Sequence, residues 1–75
     1  MKNQETIEKA LAKYQELLEK NQQIKDFEET FLESNAFMDN KEAYIISAVK
    51  YYQADLAITA CNKLIKNCKW ILDIE

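Results

Sequence analysis

Apolar residues recur along this chain at steps of three, four and seven, the spacing of one helix face, in two long stretches with one break between them. The first stretch runs roughly from Gln4 to Ser34 and carries Ile7, Leu11, Tyr14, Leu17, Leu18, Ile24, Phe27, Phe31 and Leu32. Asn21-Gln22-Gln23 interrupts this stripe with polar residues, which leaves open a kink or a split of the first helix near Asn21 and so a three-helix alternative. Glu5 and Glu8 complement the helix dipole in the first turn, and Glu5 and Lys9 form an i,i+4 pair in the favourable order.

The break falls at 34–39. Asn35 is a residue type that accepts the left-handed conformation that ends a helix when Gly is absent. Asp39-Asn40-Lys41-Glu42 reads as a capping box, with Asp39 taking the amide of Glu42 and Glu42 reaching back. Phe37 or Met38 is expected to staple the cap to the next helix.

The second stretch runs roughly from Asn40 to Asp73 and carries two adjacent stripes. One is Tyr44, Ala48, Tyr51, Ala54, Ile58, Cys61, Ile65, Cys68 and Leu72, with every step three or four. Beside it lie Ile45, Val49, Tyr52, Leu56, Ala60, Leu64 and Ile71. Together they make a face wider than one partner helix covers. At 1.5 Å per residue both helices span about 45–50 Å, and matched lengths with a short connection favour an antiparallel hairpin. The expected fold is therefore all-α: one domain over residues 1–75, a hairpin of two long helices that dimerises into a four-helix bundle. The stripe from Tyr44 to Leu72 is the expected self-association interface.

Composition supports the helical reading. The chain has no Gly and no Pro, the residues that punctuate turns and break helices. Apolar residues make up 48% of it, too many for a disordered segment. With 75 residues one chain builds only a modest core, and oligomerisation is a common remedy. No apolar run approaches the roughly 18 residues of a membrane span, and no leader pattern follows Met1; a cytoplasmic location without membrane contact is the default expectation. Frequent Lys, Asn and Ile suit an AT-rich coding sequence, such as that of a low-GC bacterium or its phage.

Charge narrows the choice of partner. The net charge is −3 and every basic residue is Lys, which weighs against bidentate Arg reading of DNA. Asp26, Glu28, Glu29 and Glu33 crowd the end of the first helix, and Lys63, Lys66 and Lys69 the end of the second. The plainer reading of these groups is a solvated face and dipole compensation. As binding surfaces, Asp26, Glu29, Glu33, Lys63, Lys66, Lys69 and Trp70 are the candidates for docking another protein. Lys50, Lys63, Lys66 and Lys69 would be the phosphate contacts of a nucleic-acid accessory protein.

Chemistry finds little purchase. Histidine is absent, which removes the commonest general base and metal ligand. Without Gly there is no phosphate-cradling loop. Cys61 and Cys68 lie seven residues apart, a rise of about 10 Å along a helix, beyond the reach of an intrachain disulfide. They read as small buried residues at a close crossing, or as a contact across a dimer axis. Glu16-x-x-Glu19 is a carboxylate pair, but the facing helix offers only Tyr52-x-x-Asp55, a poor cage for a hard cation. The aromatics Phe27, Phe31, Phe37, Tyr44, Tyr51, Tyr52 and Trp70 read mainly as core. The expectation is a non-enzymatic helical interaction module, a regulator, adaptor or inhibitor, with no cofactor, catalytic residue or metal. The competing readings are the nucleic-acid accessory protein and a small-ligand binder with a pocket between subunits.

Overall fold

The computed structural model describes residues 2–34 and 39–74, with side chains described over 4–34 and 39–73. Helix α1 spans Lys2–Glu33 and helix α2 spans Lys41–Ile74. They pack against each other as a hairpin, and no strand occurs among the described residues. The all-α hairpin expected from periodicity is the fold observed. The alternative in which the first helix splits near Asn21 is not seen: α1 runs unbroken through it. The Asn21 amide donates to the Leu17 carbonyl at 2.8 Å, so its polar group is satisfied inside the helix.

The break is closed by local hydrogen bonds at both ends. The Ser34 hydroxyl and amide both donate to the Phe31 carbonyl, at 2.6 and 3.1 Å. At the start of α2 the cap is Asn40, one residue beyond the Asp39 expected. Its side-chain oxygen accepts the Ala43 amide at 3.0 Å, and its carbonyl accepts the Tyr44 amide at 3.2 Å. Asn and Asp cap equally well, and Asn40 places its oxygen on the third residue of the helix. The expected roles of Asn35, Phe37 and Met38 lie outside the described residues.

The seam between the helices follows a seven-residue repeat on both sides. On α2 the buried positions include Ser47, Ala54, Ile58, Cys61 and Cys68. Tyr51 and Ile65 lie between them and Leu72 follows the last, all half-buried. On α1 the seam positions Ile7, Leu11, Tyr14, Leu18, Asn21, Lys25, Glu28 and Leu32, all half-buried or buried, alternate steps of four and three, with Ala10, Leu17 and Phe31 half-buried beside them. This is the geometry of an antiparallel coiled coil, in which alternating steps keep one stripe facing its partner. Small residues at every seventh position of α2 (Ser47, Ala54, Cys61, Cys68) favour the short end of the roughly 8–10 Å range of helix separations.

The result is a rod of 57 × 14 × 14 Å with a radius of gyration of 16.7 Å. A compact chain of this length would have about 11 Å. Such a rod has little interior, and no large side chain among those described is fully buried. No helix among the described residues is long and apolar enough to cross a membrane.

Candidate functional site

Two features of the rod stand out from simple apolar packing: a polar segment of the seam, and an apolar flank left open beside it.

The polar segment lies in the half of the hairpin nearest the connection. Lys25 reaches across to Asp55, with Nζ 2.7 Å from Oδ1. The same ammonium sits 5.6 Å from the centre of the Tyr51 ring, within range of a cation–π contact. The Asp55 hydrogen bond raises Lys25 above its ordinary value of 10.5, against a smaller opposing effect of burial. One turn further on, the Ser47 hydroxyl donates to a Glu28 carboxylate oxygen at 3.0 Å. Glu28 is only 6% exposed and Ser47 is buried with it. Every buried side-chain polar atom described has a partner.

This corrects the reading of Glu28 as part of a solvated acidic run. Its neighbours Asp26, Glu29 and Glu33 are exposed as expected, but Glu28 points into the seam. A sequence signal for it existed. Extending Ile7, Leu11, Tyr14 and Leu18 by the same steps of three and four passes through Asn21 to Lys25 and Glu28. Their polarity hid the stripe.

The open flank runs along one side of the seam. Near the connection it forms a trough of about 700 Å³ lined by Ile24 and Phe27 on α1 and by Lys50 and Gln53 on α2, with Asn21, Glu28 and Ala54 among its other walls. A second hollow continues it through Phe31, Ala43 and Ile46. The heptad extends the same side toward the termini through Leu17 and Ala10 on α1, and Ala57, Leu64 and Ile71 on α2, of which Leu64 is exposed and the others are half-buried. The opposite side carries Gln15, Gln22 and Glu29 against Asp55, Asn62 and Lys69 and is polar. The rod therefore has one wet flank and one apolar flank, and the back of α2 carries a further apolar strip of Ile45, Val49, Tyr52 and Leu56.

The stripe expected to mediate self-association has a different place. From Tyr51 to Leu72 it is the internal seam: α1 covers it, and Ala54, Ile58, Cys61 and Cys68 are buried within a single chain. Tyr44, at its start, stays partly exposed and Ala48 is half-buried. This stripe is the more regular of the two on α2, and regular spacing suits the intrachain partner. The face left over is the second stripe, with Ile45, Val49, Tyr52, Leu56 and Leu64 exposed. Cys61 and Cys68 are both free thiols and face α1, not solvent.

The charged candidates divide by end. Asp26, Glu29 and Glu33 stand at the connection end, and Lys63, Lys66 and Lys69 near the terminal end, all exposed. The last turn of α2 holds no basic residue, so the lysines stop short of the position for direct dipole compensation. Lys50 lies about 20 Å along the helix from Lys63 and belongs to the trough, apart from the lysine end. Trp70 is exposed. Phe27 and Tyr52, read as core, are 72% and 63% exposed. Among the described residues no group of three Cys, Asp or Glu side chains is arranged to hold a metal ion.

Fold and site together define a class: an antiparallel two-helix coiled coil with a polar register segment and an uncovered apolar flank. No protein-family model, curated protein or solved structure matches the chain.

Proposed function

We propose that this chain is a non-enzymatic interaction module that works as a self-associated helical assembly. One observation carries the reading. Ten large apolar side chains stand exposed on the described part of a two-helix rod, and they follow helix faces instead of scattering singly. Isolated exposed apolar residues are ordinary. Continuous faces of them mark surfaces that another chain covers. The assembly would present its charged ends and remaining faces to a further protein, in the manner of a regulator, adaptor or inhibitor.

The test is absolute mass by size exclusion with light scattering, in reducing buffer across a concentration series, with thermal unfolding alongside. The expected result is a mass at least twice that of the chain and a Tm that rises with concentration. The mass of one chain at high micromolar concentration, with a Tm independent of concentration, overturns the reading.

A further inference from the structure

We propose that the open flank takes a second copy of this chain, laid antiparallel so that the connection end of one rod meets the terminal end of the other. This rests on the self-association proposed above and assigns its face and its symmetry.

Area is the first argument. A compact monomer of 8.8 kDa exposes about 4,800 Å², whereas this chain exposes 5972 Å². The excess, about 1,200 Å², is more than the roughly 800 Å² that each partner contributes to a stable interface of standard size.

Self-complementarity is the second. A twofold contact must match a surface to itself, with residue i meeting j and j meeting i. The flank positions recur every seven residues, and the two helices share a midpoint near Leu17 and Ala57. A twofold axis across the rod at that point sets Ile24 over the partner's Ala10, and Ile71 over the partner's Ala43. Large meets small at both of these pairs, and at the axis Leu17 and Ala57 each meet their own copy. Lys50 meets the partner's Leu64. It lies on the trough wall and is exposed, so its stem covers apolar surface while its ammonium reaches water.

Charge is the third. Asp26, Glu29 and Glu33 mark one end of the rod and Lys63, Lys66 and Lys69 the other. An antiparallel pair brings unlike ends together. A pair with connection ends side by side stacks like charge on like, which is unfavourable at low salt.

The experiment measures mass for wild type and for three variants, each changing a residue exposed in the single hairpin: Ile24→Lys and Phe27→Lys on the flank, and Tyr52→Lys on the competing apolar strip at the back of α2. The wild type should be a dimer. Both flank variants should weaken it by about 100-fold or more, and Tyr52→Lys should stay within threefold. Spin labels on Thr30→Cys, in a protein with Cys61→Ala and Cys68→Ala, then report orientation. Unlike ends together place the two labels roughly 40 Å apart; like ends together bring them within about 20 Å. A dimer that resists both flank variants, or one with the short label distance, overturns this inference and leaves self-association standing. A wild-type monomer overturns both.

Discussion

The half of the hairpin nearest the termini and the half nearest the connection are held by different chemistry. In the terminal half, seam positions are apolar or small on both sides: Ile7, Leu11, Tyr14 and Leu18 on α1, and Ile58, Cys61, Ile65 and Cys68 on α2. In the connection half, α1 offers Asn21, Lys25 and Glu28 to Ser47, Tyr51 and Asp55. Apolar contact is non-directional. A slip of seven residues in the terminal half returns nearly the same alternation of small and large. The connection half tolerates no such slip, because moving α2 by one heptad sets Glu28 against Ala54 and strands its carboxylate. The difference teaches a division of labour: adhesion comes from one half and register from the other. Single polar residues in coiled-coil seams are the best-attested device for fixing register at some cost in stability.

The largest expected effect lies in the adhesive half. Ile58 is 9% exposed at the middle of the seam. Ile58→Asp removes its packing, about 2–5 kcal/mol for a truncation of this kind, and adds an unpaired charge. A chain of this size has little more stability than that to lose. Loss of the helical signal at 222 nm at 25 °C is expected. Retained helicity with an unchanged urea midpoint would mean that the seam does not hold the fold together.

The polar half should respond in a way that depends on which partner is removed. Glu28→Ala leaves the Ser47 hydroxyl buried without its acceptor and should cost about 1–3 kcal/mol in urea unfolding. Replacing both, as Glu28→Leu with Ser47→Ala, should restore or exceed wild-type stability. If the pair sets register, that double variant should also show more than one set of amide resonances. A single sharp set at raised stability would remove the register role.

The smallest effect belongs to Lys25 and Asp55, a pair with a partly solvated carboxylate. Lys25→Met should lower the urea midpoint slightly, and less as salt rises. The hydrogen bond to Asp55 raises the folded-state value of Lys25 above 10.5. Its contribution is therefore whole below the unfolded value and is lost as pH rises through the folded one. The midpoint difference between wild type and Lys25→Met should stay flat from about pH 6 to 9 and shrink above 10.5. A difference that grows with pH would reverse the assignment.

Sequence alone reached the helices and missed much of what lies between them. The absence of Gly and Pro and the steps of three and four made α1 and α2 plain. It also showed that α2 carries two stripes, more than one helix covers. It did not show which stripe α1 takes, because both have helical spacing and the choice depends on the partner's width. The cap fell on Asn40 in place of Asp39, since neighbouring residues of equal competence leave only backbone geometry to choose. Glu28 and Lys25 escaped notice because a charged residue at a seam position looks like any surface charge until its partner is known. Phe27 misled in the opposite sense. Its aromatic character suggested core, yet it stands one residue before the seam position Glu28, on the wall of the trough, and is exposed.

The slenderness of the rod bears on how the chain moves. A body 57 Å long and 14 Å across turns easily about its axis and slowly end over end, so its diffusion is set chiefly by its length. Two such rods laid side by side keep that length and gain only girth. Friction then grows less than doubling the mass of a sphere would cause, and elution volume shifts little between the single and the paired form. Spinning about the long axis slows much more, and with both helices running along that axis, fluorescence anisotropy decay is the more sensitive measure of pairing.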